Sequence, residues 1–236
     1  MLDGEITLGA LARIDWKKIY VLPWHLDIEE ELKEKHGVEY WNERTKTMYE
    51  GEDYFSERAM AFLNFAKIPK GSSVIDIASG IGALAIPLLK DDCEVTAVDV
   101  SDYALSVLEE KNVYDKKNLK IVNGYFREIA ETLKPCDYVL NFCSLGVVCL
   151  DGEGKTDLAD TLLKMNDLAR ERVIITMPAN EEKDVAEVHA NSYYWILYGA
   201  LLSLGIIAEL KFEWFDEVGT LGFISWKPVT SKTKKI

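Results

Sequence analysis

The sequence predicts an α/β fold, a three-layer α/β/α sandwich around a seven-stranded, mostly parallel sheet. From Ser73 onward, short apolar segments alternate with segments of helical periodicity, which is the pattern of a parallel sheet with crossover helices. The apolar segments are almost continuously hydrophobic, as strands buried on both faces are. The last two are joined by a loop too short for a crossover, so one strand near the C-terminus runs antiparallel.

The first 70 residues are predicted to form an acidic helical extension, a lid that packs on this core. Residues 27–35 begin with acidic and end with basic side chains, which suits the helix dipole, and Gly37 ends the helix. A second helix is expected over 53–66, where apolar residues share one face: Phe55, Ala59, Phe62, Leu63 and Ala66. Residues 71–228 form the main domain, and 229–236 a basic, flexible tail.

The elements of the main domain follow from turn residues and apolar runs. Ser101 is expected to cap a helix, whereas Pro87 counts against the helix in which it lies. The predicted strands are 73–77, 94–99, 119–122, 138–142, 172–177, 206–215 and 220–226. The predicted helices are 83–90, 101–111, 156–170 and 181–204.

Composition narrows the classes of function. The chain has 236 residues and a formal charge of −13, from 27 Lys and Arg against 40 Asp and Glu. A chain with this excess of negative charge lacks the basic character that binds nucleic acid or an anionic membrane surface. The charge-free stretch 193–207 is too short for a membrane helix, and residues 1–10 have no basic region typical of a secretory signal. We therefore expect a cytoplasmic protein.

The cysteines indicate neither a metal site nor a disulfide framework. There are four cysteines and three histidines in the chain, and none of the cysteines forms a C-x-x-C pair. We expect four reduced, mostly buried thiols and no bound metal. The cysteines are Cys93, Cys136, Cys143 and Cys149.

The segment from Asp76 to Gly82 carries the chemistry. A buried strand enters a glycine-containing loop that opens a helix, and glycines at 80 and 82 let a ligand approach the backbone. Together with Ala85 they also satisfy a permitted variant of the dinucleotide fingerprint. Asp76, inside the strand, would repel a pyrophosphate and would suit a cationic ligand. Asp99 closes the second strand, where an acid can accept hydrogen bonds from a ribose diol.

These motifs resemble those of the class I S-adenosylmethionine-dependent methyltransferases over about residues 70–227. The stretch 76–82 is similar to the family's first motif, with Ala78 where a glycine is common, and Asp99 matches the ribose-binding acid. Residues 123–125 match the position near the adenine, and 135–142 resemble the fourth-strand motif. The resemblance implies S-adenosylmethionine as cofactor. The residues implied to bind it are Asp76, Ala78, Ser79, Gly80, Gly82, Asp99, Val100, Asn123, Gly124, Tyr125, Asn141, Tyr40 and Trp41.

The same resemblance implies an acceptor site above the methyl group. Residues 40–44 resemble the aromatic opening segment of small-molecule methyltransferases, and no N-P-P-Y follows the fourth strand, which disfavours amine methylation of nucleic acid. The candidate catalytic residues are His189, Tyr193 and Tyr49. The acceptor candidates are Tyr40, Trp41, Tyr49, Tyr54, Cys143, Ser144, Pro178, His189, Tyr193 and Tyr194.

Several alternatives stay open at this stage. Asp76 also suits a structural acid at a strand end, Asp99 a helix cap, Asn123 a turn residue, and His189 a residue on a helix surface. The function predicted is methyl transfer to a small molecule by in-line displacement. The alternatives are an NAD(P)-dependent oxidoreductase, a non-catalytic relative that binds the cofactor, and a methyltransferase acting on a basic protein.

Overall fold

The structure, a computed structural model, describes residues 37–49, 56–155, 157–178, 197–215 and 219–229. Its strands are β1 Ser73–Ile77, β2 Glu94–Asp99, β3 Leu119–Asn123, β4 Cys136–Phe142, β5 Ala169–Pro178, β6 Ala208–Phe215 and β7 Gly219–Trp226. They form one sheet in the order β3-β2-β1-β4-β5-β7-β6. Strands β1 to β5 are parallel, and β7 is antiparallel to both of its neighbours. The predicted fold is confirmed.

The helices flank the sheet and supply its covering layers. They are α1 Val38–Tyr49, α2 Ser56–Ala66, α3 Ala85–Lys90, α4 Asp102–Lys111, α5 Phe126–Ile129, α6 Leu145–Val148 and α7 Leu158–Leu168. A further helix, α8, covers 197–203 within the described residues. None of the described helices is both long and apolar enough to cross a membrane.

The core has two parts, one on each face of the sheet. On one face, Phe126, Leu162 and Leu201 from α5, α7 and α8 pack against alternate residues of the central strands. On the other face, helices α2, α3 and α4 bury a second set of residues, including Phe62 and Leu108. Because successive strand residues point to opposite faces, each central strand contributes to both clusters. Apolar burial on both faces thus produces the three layers.

The boundary between α7 and β5 differs from the prediction. Asp157 caps the helix by accepting a hydrogen bond from the Asp160 backbone N–H at 2.9 Å, so the helix begins at Leu158 rather than at residue 156. It ends at Leu168 rather than at Arg170, because Ala169 is extended and pairs with Cys136 of β4. Tertiary strand pairing here overrides the helix propensity of two residues.

The helix after the glycine loop begins later than predicted, which accounts for its proline. The prediction started it at Ala83, but residues 81–84 form turns and α3 begins at Ala85. Pro87 is therefore the third helical residue. The N–H groups of a first turn have no partner within the helix, so proline sacrifices no hydrogen bond there. The predicted cap of α4 is confirmed, since the Ser101 side chain accepts from the Ala104 N–H at 3.0 Å.

Several predicted elements lie outside the described residues. These are the helix over 27–35, the first residues of the helix over 53–66, most of the helix over 181–204 and the tail beyond 229.

Candidate functional site

A cavity of about 250 Å³ opens at the carboxyl ends of β1, β2 and β4. This volume lies just below the range of about 300–1,000 Å³ usual for small-molecule sites. In a parallel sheet, this end of the strands at the switch in strand order is where ligands bind. The lining residues are Trp41, Arg44, Thr45, Ile77, Ala78, Ser79, Gly80, Ile81, Ala83, Val98, Asp99, Val100, Ser101, Gly124, Tyr125, Phe126, Phe142, Cys143, Ser144 and Val148.

The loop after β1 forms one wall of the cavity with a left-handed backbone. Ala78 has φ +58° and Gly80 has φ +52°, and the Ser79 N–H donates to the Val98 carbonyl of β2 at 3.1 Å. An alanine in this conformation costs roughly 1–2 kcal/mol, because its Cβ crowds the following carbonyl. The loop therefore keeps a strained shape that exposes backbone to the cavity.

Gly82, in contrast, serves packing rather than the cavity. Its φ is +96°, and a Cβ there would lie 2.4 Å from the Cδ1 atom of Leu108 on α4. It is absent from the cavity wall. The second glycine of the motif thus lets α4 approach the loop.

The Asp99 carboxylate lies on the cavity wall and joins the two loops that flank it. It accepts hydrogen bonds from the backbone N–H groups of Gly80 and Ser101, each at 2.8 Å. Burial raises the pKa of Asp99, and the N–H groups of Ser101, Gly80 and Val100 counteract this. A carboxylate offers about four acceptor positions, so acceptor capacity remains for a ligand.

Asp76 lies behind the wall rather than on it. Its side chain is 1% exposed, and its Oδ2 atom has no hydrogen-bond partner among the described residues. Burial, and secondarily the charge of Asp99, raises the pKa of Asp76 to about 7, while the Ala85 N–H lowers it. The Ser79 hydroxyl on the wall is likewise buried without a partner in the described part of the chain. Such orphaned groups are costly unless a ligand or water satisfies them.

Two of the predicted asparagines hold the loops and do not line the cavity. The Asn123 amide donates to the carbonyls of Asp99 and Val100 at 3.1 and 3.0 Å. The Asn141 amide donates to the Ile77 carbonyl and to the Ser144 hydroxyl, both at 2.9 Å. Both side chains therefore shape the cavity through the backbone of neighbouring strand ends.

Helix α1 closes one side of the cavity with Trp41, Arg44 and Thr45. Its orientation is fixed by Asn42, which contacts the start of α4. The Ser101 hydroxyl donates to Asn42 Oδ1 at 2.7 Å, and Asn42 Nδ2 donates to Asp102 Oδ1 at 2.7 Å. Tyr40 packs edge-on against the Trp41 ring, with centroids 5.1 Å apart, and does not line the cavity.

The loop after β4 supplies the opposite wall. Cys143 has φ +56°, and its N–H donates to the Thr176 carbonyl at 2.9 Å. Burial raises the pKa of the Cys143 thiol to about 12, so it stays protonated at neutral pH and is a weak nucleophile. Ser144 and the apolar residues Phe142 and Val148 complete this wall.

The structure brings most of the predicted cofactor residues together. Those on the wall are Trp41, Ala78, Ser79, Gly80, Asp99, Val100, Gly124 and Tyr125, whereas Asp76, Gly82, Asn123, Asn141 and Tyr40 lie outside it. The side chains of Tyr49 and Pro178, and all of Tyr54, His189, Tyr193 and Tyr194, lie outside the described residues. The described ranges hold no group of three His, Cys, Asp or Glu that could bind a metal ion.

Sequence reasoning missed several wall residues. Arg44 and Thr45 follow Trp41 at spacings of three and four, so a helical reading of 38–49 would have placed all three on one face. Phe126 and Val148 lie on helices of four residues, too short for any periodicity to show.

Comparison with known proteins identifies a methyltransferase domain in the chain. Residues 74–173 match the family model described as a methyltransferase domain. This range runs from β1 into β5 and includes the glycine loop and Asp99. The chain thus contains a methyltransferase domain over these residues, in agreement with its resemblance to the class I S-adenosylmethionine-dependent methyltransferases. The resemblance in the sequence is thereby confirmed, and S-adenosylmethionine is the cofactor that this family uses.

The chain has a distant curated relative. The Bacillus subtilis protein YqeM, which carries a provisional methyltransferase assignment, is 24% identical over 161 residues. The aligned part covers 62% of this chain and 62% of YqeM. The chain therefore spans less than two thirds of the length of this relative.

Solved structures share the methyltransferase fold. An S-adenosylmethionine-dependent methyltransferase from Aquifex aeolicus aligns with a TM-score of 0.60 at 17% identity, over 80% of this chain and 98% of that one. The magnesium protoporphyrin IX methyltransferase of Synechocystis PCC 6803, solved with bound cofactor, aligns with a TM-score of 0.52 at 16% identity, over 74% and 78%. At these identities the likeness concerns the fold alone.

Proposed function

We propose that this methyltransferase binds S-adenosylmethionine in the cavity and transfers its methyl group to a small-molecule acceptor. The observation that carries the proposal is the Asp99 carboxylate, held on the cavity wall by the N–H groups of Gly80 and Ser101. Its remaining acceptor capacity fits a ribose diol, and the strained loop beside it leaves room for the rest of the ligand.

The residues on the wall fit the other parts of the cofactor. Val100, Tyr125 and Phe126 offer an apolar surface for the adenine. The unpartnered Ser79 hydroxyl offers a hydrogen bond to the amino-acid end. Asp76, buried behind the loop with a pKa of about 7, adds negative potential that favours a cation when it is ionised.

Bound S-adenosylmethionine supplies a methyl group already activated by its sulfonium. The chain's own residues must bind the two reactants, align them and exclude water, which can contribute about 7–11 kcal/mol at best. Trp41 and Phe142 offer apolar walls for this purpose. A good nucleophile as acceptor requires no dedicated base.

The small-molecule acceptor is supported by charge and by enclosure. The formal charge of −13 disfavours a nucleic acid. Helix α1, held at the start of α4 by Asn42, closes one side of the cavity, which favours a small acceptor over a macromolecule. We propose accordingly that residues 1–70 act as a lid on the domain 71–228.

We propose a cytoplasmic location as well, supported by the cysteines. Cys93, Cys136, Cys143 and Cys149 are all unpaired in the structure. Free thiols of this kind are typical of a reducing compartment.

Calorimetric titration with S-adenosylmethionine, S-adenosylhomocysteine and NAD tests the cofactor proposal. We expect saturable binding of the two sulfur ligands, and an affinity about tenfold or more lower for Asp99→Ala, because a hydrogen bond to a charged group is worth about 1.5–3 kcal/mol. Asp115→Ala is the matched control: this carboxylate also accepts a backbone N–H, that of Lys117 at 3.1 Å, but lies away from the cavity. Binding of NAD alone would refute the proposal.

The acceptor is tested by measuring transfer of radiolabelled methyl groups to three pools of candidate acceptors: a small-molecule extract, transfer RNA and basic protein. We expect incorporation into the small-molecule pool only. Binding of the cofactor without incorporation into any pool would favour a non-catalytic relative, and incorporation into protein would refute the small-molecule acceptor.

A further inference from the structure

We propose that Arg127 is a positioning residue that fixes two parts of the cavity wall relative to each other before a ligand binds. One part, the nucleoside wall, is formed by Tyr125 and Phe126. The inference rests on the proposed function, in which this wall contacts the nucleoside of the cofactor. Arg127 follows these residues directly on α5 but does not line the cavity itself. Its effect on a ligand is therefore indirect, through the backbone that it holds.

The second part, the β4 wall, consists of Cys143, Ser144 and Val148, and the loop 149–155 begins directly after it. Arg127 connects this loop to the nucleoside wall.

The Arg127 guanidinium holds the loop at both ends. Its Nη1 atom donates to the Cys149 carbonyl at 3.2 Å and to the Lys155 carbonyl at 2.7 Å. The same atom lies 3.3 Å from Asp151 Oδ2, within the loop. A single side chain of α5 thus fixes where the chain leaves the β4 wall.

The loop also lies beside the nucleoside wall. The Gly152 N–H donates to Glu128 Oε1 at 2.7 Å, which attaches the middle of the loop to α5. A Cβ added at Gly152 would lie 3.7 Å from Tyr125 Cε2, an ordinary van der Waals distance. A loop that moved away from Arg127 would therefore change the surroundings of the Tyr125 ring as well as the end of α6.

The bonds of Arg127 belong to a charge-balanced network that includes α7. Its Nε atom donates to Asp160 Oδ2 at 3.2 Å, and Lys164 Nζ lies 3.0 Å from the same oxygen. Lys164 also donates to the Arg127 carbonyl at 2.7 Å. The Arg127 side chain is 15% exposed, so solvent and salt screen these pairs less than pairs on the surface. Such a satisfied network keeps its members in one arrangement.

Arg170 makes similar bonds at the other end of the sheet and serves as a matched control. Its guanidinium donates to the Pro135 carbonyl at 2.6 Å and to Asp137 Oδ1 at 3.3 Å. These contacts lie near the start of β4, whereas the cavity opens at the carboxyl ends of the strands. Arg170→Ala thus removes a guanidinium bonded to a carbonyl and a carboxylate without reaching the cavity.

Two ligands that share the nucleoside test the proposal. S-adenosylhomocysteine carries the amino-acid end, and 5′-methylthioadenosine is the nucleoside thioether without it. Both are titrated by calorimetry into wild type, Arg127→Ala, Arg127→Lys and Arg170→Ala, at a temperature where circular dichroism shows each protein folded.

We expect Arg127→Ala to weaken both ligands by the same factor, about tenfold, because binding must then order a wall that the wild type holds ready. Arg127→Lys should recover part of this loss, since lysine keeps the charge but donates in fewer fixed directions. Arg170→Ala should bind both ligands as the wild type does.

Hydrogen exchange of the loop 149–155 separates positioning from a merely structural role. In the wild type we expect the loop to be protected with and without S-adenosylhomocysteine. In Arg127→Ala it should exchange faster without the ligand and regain protection at saturation, because a ligand that binds the ordered wall must also stabilise it. A residue that only supported overall stability would lower the free energy of unfolding without this ligand-dependent recovery.

Unchanged affinities in Arg127→Ala would overturn the proposal, as would an equal loss in Arg170→Ala or a loss confined to S-adenosylhomocysteine. If Arg127→Ala does not fold, Arg127→Lys carries the same comparison, and wild-type affinity together with wild-type exchange in that variant would overturn the proposal. If the wild type binds neither ligand, the proposed function itself fails, which a loss confined to the Arg127 variants cannot imitate.

Discussion

Replacing Gly82 by alanine should destabilise the protein by about 2–5 kcal/mol. The φ of +96° is unfavourable for a residue with a Cβ, at roughly 1–2 kcal/mol. The new Cβ would also lie 2.4 Å from Leu108 Cδ1 and 3.0 Å from Ile86 Cγ1. Overpacking of a core in this way costs about 1–3 kcal/mol more.

Two other glycines separate these contributions. Gly71 has φ +75° and no heavy atom within 4 Å of an added Cβ, so Gly71→Ala should carry only the backbone cost. Gly146 lies in α6 with open space around it, and Gly146→Ala should be neutral or stabilise by up to about 1 kcal/mol. The three variants should rank in that order.

Urea unfolding followed by circular dichroism measures all three free energies of unfolding. The double variant Gly82→Ala/Leu108→Ala should lose less stability than the sum of the two single variants, because Leu108→Ala removes the atom with which the new Cβ collides. If Gly82→Ala costs no more than Gly71→Ala, or if the double variant is additive, the packing role given to Gly82 is wrong.

Three further predictions concern buried charge, the lid and a loop. The pKa of Asp76, about 7 when folded, exceeds its unfolded value, so its protonation favours folding at low pH; this advantage is lost from about pH 4 to 7. In urea unfolding at several pH values, Asp76→Asn should reduce the fall of the free energy of unfolding with pH by up to about 1.4 kcal/mol per pH unit. An unchanged pH dependence would contradict this prediction. Asn42→Ala should speed hydrogen exchange in α1, whereas equal protection would show that Asn42 does not hold the helix. Arg127 donates hydrogen bonds to the Cys149 and Lys155 carbonyls, so Arg127→Ala should lower the free energy of unfolding by about 1–3 kcal/mol. Urea unfolding should show a smaller loss for Arg170→Ala, because the Arg170 side chain is more than half exposed.

The strands and the glycine loop could be predicted because their signals are local. The bounds of β1 and β2 agree with the prediction, since each is a short apolar run between turn residues. Ser101 caps α4 through an atom three residues away. Such interactions lie within one stretch of sequence and need no knowledge of the partner strand.

What escaped prediction depends on long-range contacts. Ala169 and Arg170 are good helix formers, but Ala169 pairs with Cys136 of β4, and Arg170 follows it in the strand at an irregularity of the ladder. Asn42 meets the start of α4 across about 60 residues of sequence, a separation that no local pattern reveals. Asp76 was predicted to contact the cofactor, yet the structure buries it behind the loop.

The position of β7 between β5 and β6 has a consequence for biosynthesis. Strand β5 emerges from the ribosome well before β7, the antiparallel neighbour that covers its far side. Its segment Val173–Thr176, fully buried in the finished protein, therefore spends an interval on an unpaired edge. Exposed apolar edges of this kind pair with other chains. Until Phe223 and Ile224 pair with β5, this apolar edge is therefore open to pairing with another chain.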